Sequence, residues 1–278
     1  MIMSNSISRI PIFITGCQRS GTTLLNLILN SHPKIWSIDE DIFLFQSIYR
    51  YLSVPQMPPF VAFKLPEYAH ILPFIKMLPD IRVVWCIRDP IDTVWSMVKL
   101  QLTVKGVTAP WAVHPSGGGW SQIMNSYWVL SDESKNDLAA PMKEYFRISE
   151  KFSSLSLKDL ENIDRRDSVF MGALCWRIKN ELPTMYKAEK IDFHTAKYED
   201  LVANPKERIA EILHYIGVDW SDEVLKHHQL HRGGSIGDTS NTRSIDKKSV
   251  AQGKKNFSQE ELSTIESICG KTAREWGY

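Results

Sequence analysis

This chain of 278 residues is short of net charge, of cysteine and of long apolar runs. Lys and Arg total 33 against 32 Asp and Glu, a formal charge of +1. That balance carries no polyanion signal, so nucleic acid is not an expected partner. Any positive potential must be local. The four cysteines, Cys17, Cys86, Cys175 and Cys269, lie far apart and form no C-x-x-C pair. Their spacing argues against a zinc site and for free thiols in a reducing compartment, so a cytoplasmic location is expected. No stretch approaches the roughly 18 apolar residues of a membrane span, so none is expected. The opening MIMSNSISRI has neither the cationic start nor the apolar centre of a signal peptide. Internal repeats and low-complexity tracts are also missing. What is present is an apolar fraction of 43% with nine tryptophans, ample for a core. The length fits one larger α/β domain, or at most two small ones.

One further absence is local and more informative. The segment PIFITGCQRSGTTLLNLILNSHPKIWSIDE runs from Pro11 to Glu40. An apolar strand ends at Gly16, a polar loop follows, and Thr22-Thr23 opens an apolar helix. Strand, glycine-bearing loop and helix N-terminus make a phosphate cradle, with loop N–H groups and the helix dipole converging on one anion. A nucleoside-triphosphatase loop would read G-x-x-x-x-G-K-S/T. Here Thr22 stands where that lysine belongs, and the loop's cation is Arg19, placed early.

The rest of the chain alternates strand and helix signals. Val61–Lys64 reads as a short strand closed by Pro66, and 67–77 as a helix. Arg82–Ile87 is a nearly continuous apolar run, as in a parallel strand buried on both faces. Pro90 suits the first turn of a helix carrying Val94, Met97 and Val98. Ile191–Lys197 is a further strand. Pro205 opens a helix bearing Ile209, Ile212, Leu213 and Ile216, stopped by Gly217. Ser258-Gln-Glu-Glu is a capping box for a last helix. Alternation of this kind predicts an α/β fold with a central parallel sheet flanked by helices. Residues 101–170 break the rhythm, with Pro110-Trp111 and the stretch 116–120, Ser-Gly-Gly-Gly-Trp. We read them as an insertion or lid within a single domain, 1–278, rather than as a second domain.

Charged residues collect where such a sheet delivers them. Arg88 follows the Arg82–Ile87 strand at the carboxyl edge, where open α/β folds bind ligands. Ser96 lies about two helical turns further on. Arg offers a planar fork to a phosphate, and Ser adds a neutral donor. Asp89 either orients Arg88 or caps the helix. Lys64 ends its strand as Arg88 follows its own, so both project over one edge. Asp39-Glu40-Asp41 supplies carboxylates whose pKa burial and like charge would raise toward that of a working base.

The loop with Arg19, followed by His32-Pro33 and the acidic cluster, resembles the 5′-phosphosulfate loop of sulfotransferases. These enzymes use 3′-phosphoadenosine 5′-phosphosulfate (PAPS) as donor. The resemblance implies a P-loop-like sulfotransferase fold, with Arg19, Ser20, Gly21, Thr22 and Thr23 on the phosphosulfate. The segment R-D-P-x-D-x-x-x-S-M, from Arg88, is similar to the family's 3′-phosphate motif, implying that Arg88 and Ser96 bind that phosphate. In tyrosylprotein and heparan-type members a glutamate base sits just past the His-Pro. Glu40 matches it best, and Asp39 is the alternative. A lysine in a K-x-P context touches the bridging oxygen in the family, and Lys64-Leu65-Pro66 fits. Tyr198-Glu199-Asp200-Leu201 matches a segment whose Tyr reaches the nucleotide, with Glu199 and Asp200 capping the next helix. The basic stretch from Lys247 looks like the loop wrapping the 3′-phosphate, which implies Lys247, Lys248 and Ser249, with Arg243 a further candidate. Lys247, Ser249 and Lys254 depart from that loop's Arg, Gly and Trp.

The expectation is therefore a PAPS-dependent sulfotransferase with catalytic Glu40, Lys64 and Arg19. Transfer would be in-line, without a metal, to a hydroxyl or amine. The expected acceptor is a small molecule, carbohydrate, lipid or peptide. Two rivals stand beside it: a non-catalytic nucleotide-binding protein, and a nucleotide kinase, against which the missing loop lysine argues.

Overall fold

The computed structural model describes residues 9–40, 48–54, 56–74, 78, 80–104, 107–113, 118–153, 163–230 and 242–278. In chain order the elements are β1 (Ile10–Gly16), α1 (Thr22–Asn30), β2 (Ile35–Ile38), α2 (Ile48–Leu52), β3 (Phe60–Lys64), β4 (Arg82–Ile87), α3 (Pro90–Lys99), β5 (Gln101–Val104) and β6 (Val107–Pro110). Helices α4 (Gly118–Tyr127), α5 (Asp132–Asp137), α6 (Ala139–Ser153), α7 (Arg165–Glu181) and α8 (Pro183–Ala188) follow. The chain ends with β7 (His194–Lys197), α9 (Tyr198–Ala203), α10 (Pro205–Ile216), α11 (His227–Leu230), α12 (Gly253–Asn256) and α13 (Gln259–Glu275). These elements form two units. The first comprises Met1–Gly16, Gly21–Ile87 and Ile191–Lys247, and the second Cys17–Ser20, Arg88–Lys190 and Lys248–Tyr278.

The first unit holds a five-stranded sheet in the order β2-β3-β1-β4-β7, with every neighbouring pair parallel. β1, β3 and β4 are buried almost throughout, which is why they read as unbroken apolar runs. Edge strand β7 is half-buried and carries His194, Thr195 and Lys197. Side chains alternate between the sheet faces. One face presents Ile12, Ile14, Ala62, Val84, Cys86 and Ala196 to the apolar sides of α1 and α10. The alternate residues include Phe13 and Phe63, whose rings lie 5.6 Å apart, and Trp85, 6.3 Å from Phe193. Each fully buried Leu, Ile or Phe contributes roughly 1.5–3 kcal/mol.

Five parallel strands bring their carboxyl ends to one edge, and the register decides what emerges side by side. Ile14 pairs with Lys64, Gly16 with Cys86, and Ile87 with Lys197. Ile38, the last residue of β2, pairs with Phe63. Asp39 and Glu40 thus leave β2 next to Lys64, the last residue of β3.

In the second unit α7 is buried along nearly its whole length, and α3, α4 and α13 pack against it. Among its buried polar residues Arg177, Lys179 and Glu181 are paired. Arg177 reaches Glu181 at 2.7 Å, and Glu181 also accepts from Thr272 at 2.7 Å and Ser134 at 3.1 Å. β5 and β6 form an antiparallel hairpin. The capping box at Ser258 and Glu261 opens α13 as expected.

The structure also departs from the sequence reading. Within 67–77 it forms two 3-10 turns, Pro66–Tyr68 and Leu72–Phe74, instead of one helix. Pro73 lacks the N–H that an α-helix would need there, and 75–77 lie outside the described residues. The strand read at Ile191–Lys197 begins only at His194. β2 and the β5–β6 hairpin were not foreseen. Within 101–170, residues 105–106, 114–117 and 154–162 lie outside the described residues, including part of the glycine stretch.

Candidate active site

Gly16 ends β1 with φ 128°, and Gly21 precedes α1 with φ 91°. A Cβ on Gly16 would collide with the Cys86 carbonyl oxygen. One on Gly21 would sit 2.6 Å from Cδ2 of the buried Tyr198 ring. Both positions therefore require glycine. Gly21 offers α1 no side-chain cap, and the first turn carries no acidic residue. The positive end of the helix is left for an anion.

Lys64 adds a cation to that end. Its side chain is buried, and Nζ lies 3.2 Å from Thr23 Oγ1. The same ammonium is 2.9 Å from Asp39 Oδ1 and 3.0 Å from Glu40 Oε1. Burial pushes the Glu40 carboxyl up to about 7, and the charges of Glu67 and Asp39 add to the rise while Lys64 opposes it. Burial pulls the Lys64 ammonium down, but Glu40 and Asp39 together outweigh it and hold the group above its ordinary value. Glu40 Oε2 is buried with no hydrogen-bond partner among the described residues. A carboxylate with one oxygen on a cation and one unclaimed is equipped to receive a proton.

The second unit assembles a different group of predicted residues. Arg19 takes the left-handed conformation, φ 68°, which costs a non-glycine residue on the order of 1 kcal/mol. Its Nε donates to Ser96 Oγ at 3.0 Å. Arg88 Nη1 donates to the Arg19 carbonyl at 3.2 Å, and Nη2 donates to the Ser249 carbonyl. The buried Trp176 donates to the Arg88 carbonyl at 2.9 Å. Asp89 is the cap of α3, accepting from the Asp92 amide at 2.9 Å.

Asp92 escaped the sequence reading although it lies inside the quoted motif. Its carboxylate accepts from the Gly253 amide at 2.8 Å and the Ala251 amide at 2.6 Å. It also lies 3.8 Å from Arg88. This one buried carboxylate ties α3 to the loop that carries Ser249. The available signal was its i+4 spacing from Arg88.

The structure thus joins Thr23, Lys64 and Glu40, joins Gly21 to Tyr198, and joins Arg19, Ser96, Arg88 and the main chain of Ser249. Ser20 is buried in the loop turn, its amide donating to the Cys17 carbonyl at 3.3 Å. Thr22 begins α1 and is buried. The side chains of Lys247 and Lys248 are exposed, and Arg243 pairs with Asp246 at 3.2 Å. The four cysteines are free thiols, all buried.

A parallel sheet whose first strand runs through a glycine loop into an uncapped helix is a phosphate-binding frame. The chain belongs to the sulfotransferase domain family, which matches residues 9–277. Solved structures share the fold. The sulfotransferase domain of the Synechococcus PCC 7002 olefin synthase is similar with a TM-score of 0.53 at 14% identity, over 97% of this chain and 95% of that one. Mouse sulfotransferase SULT7A1, solved with PAP, gives 0.53 at 12% identity, covering 98% and 86%. Sulfotransferase STF9 from Mycobacterium avium gives 0.50 at 13%, covering 97% and 77%. No curated protein matches the sequence. Among the described residues, no helix is long and apolar enough to cross a membrane.

Proposed function

We propose that this chain moves a sulfuryl group from PAPS to a hydroxyl or amine acceptor, with Glu40 as base. The observation that carries the reading is the buried Lys64 ammonium, shared between Thr23 at the start of α1 and the Glu40 carboxyl. The bound donor would supply an activated sulfuryl group, released when its bond to the bridging phosphate oxygen breaks. Glu40 would take the acceptor's proton, and Lys64 would hold the charge left on that oxygen. Arg19, Ser20, Gly21, Thr22 and Thr23 would bind the phosphosulfate. Arg88 and Ser96 would bind the 3′-phosphate, with Tyr198, Lys247, Lys248 and Ser249 completing the nucleotide contacts. The family match over 9–277 supports one sulfotransferase domain, in which 101–170 would choose the acceptor.

The test is an acceptor screen with radiolabelled PAPS, read by mass spectrometry for an added sulfuryl group. A sulfated product with stoichiometric PAP supports the reading. Tight PAP binding with no product from any acceptor class would favour a nucleotide-binding protein without catalysis. A strict Mg²⁺ requirement with phosphorylated product would favour a kinase.

A further inference from the structure

One ammonium faces two carboxylates in the first unit, while a proton-abstracting site requires only one of them. Lys64 Nζ lies 2.9 Å from Asp39 and 3.0 Å from Glu40. With all three groups charged, the cluster holds one excess negative charge. In a place largely closed to water, that excess is relieved by a proton on one carboxyl. The two carboxylates are not equivalent. Pairing of Ile38 with Phe63 sets Asp39 beside Lys64 at the sheet edge. The Asp39 side chain is 12% exposed against 25% for Glu40, so Glu40 is the more open to an incoming group.

We propose that Asp39 is a positioning residue whose carboxylate serves as the standing counter-ion of Lys64, leaving Glu40 to take the proton of the acceptor. This rests on the base role proposed above for Glu40. Among the described residues, the charged groups facing Glu40 are Lys64, Asp39 and Glu67. If Asp39 were absent, Glu40 would become the partner of Lys64, stay ionised to lower pH and be a poorer base.

The experiment is a carbon-13 NMR titration of the Glu40 carboxyl in the full chain without nucleotide. The wild-type midpoint is expected at about 7. Asp39→Asn should lower it by about one pH unit or more, because a like charge goes and Lys64 turns to Glu40. Lys64→Met should raise it. Variants that merely loosened the site would admit water and move both midpoints down together. Opposite signs support the proposal. An unmoved or raised midpoint in Asp39→Asn overturns it, as does a lowered one in Lys64→Met. Should Asp39→Asn fail to fold, Asp39→Ser carries the same expectation. The titration needs no acceptor, so its failure is separate from loss of the base role, which full turnover by Glu40→Gln would reveal.

Discussion

At the scale of single residues, the proposed chemistry rests on Glu40 and Lys64. Glu40 with a pKa near 7 must lose its proton to act, so kcat/KM should fall about tenfold per pH unit below that value. Glu40→Gln should lower turnover by about 10²- to 10⁴-fold and leave PAP affinity nearly intact. Steady-state rates beside calorimetric PAP binding would check this, and full activity in Glu40→Gln would remove the carboxylate from the mechanism. The same shift has a consequence for stability. A carboxyl whose pKa rises on folding binds its proton more tightly in the native state, so the fold loses stability as pH climbs from 4.5 through about 7. Glu40→Gln should remove that loss, on the order of 2 kcal/mol, visible as a flatter plot of stability against pH. Lys64 is the other half of the pair. In the proposed mechanism its charge would help most when negative charge grows on the bridging oxygen, so its loss should appear in kcat more than in binding. Lys64→Met keeps much of the apolar stem and should lower kcat by roughly 10²-fold or more. If only the melting temperature fell, Lys64 would be a packing residue at a strand end.

At the scale of elements, Asp92 fastens the start of α3 to the loop before α12. Its bonds to the Ala251 and Gly253 amides are charge-assisted and part-buried or buried. Asp92→Asn keeps the shape but loses the charge, and one amide proton meets an NH₂ group instead of an oxygen. The expected cost is roughly 1–3 kcal/mol. It should appear first as faster hydrogen exchange at Ala251 and Gly253, and then as weaker PAP binding. Unchanged exchange at both amides would show that the loop holds its shape without α3. Arg88, which reaches Ser249 from the same helix entrance, links this fastening to the proposed 3′-phosphate contact.

At the scale of the whole molecule, a donor specified by its 3′-phosphate should stabilise the fold more than nucleotides lacking that group. PAP at about a hundred times its Kd should add about 2.7 kcal/mol by linkage. AMP and ATP at the same concentration should add far less. Thermal unfolding with each nucleotide would decide, and equal shifts with AMP and PAP would remove Arg88 and Ser96 from the donor assignment. Among the helices, the sequence was most legible where local rules suffice. α10 runs from its Pro205 start to a left-handed Gly217, and α13 opens on a capping box, as their residues dictate. Strands with unbroken apolar runs, such as β4, were equally plain. β2 was not, because four residues, Ile-Trp-Ser-Ile, carry too little pattern to separate a strand from a loop.

That unseen strand marks the boundary between the two sources of information. The sequence by itself determined the glycine-bearing loop between β1 and α1, the parallel α/β class and the residue types available for chemistry. It did so because glycine, charge and apolar period act over a few neighbouring positions. Only the tertiary structure decided that Asp39 and Glu40 both meet Lys64, since that contact depends on β2 pairing with β3 in one register across 25 positions of chain, from Asp39 to Lys64. It alone decided that Asp92 ties down a loop some 160 residues away, at Ala251 and Gly253. Long-range pairings of this kind are set by the burial of whole elements against one another, and no local stretch of sequence contains them.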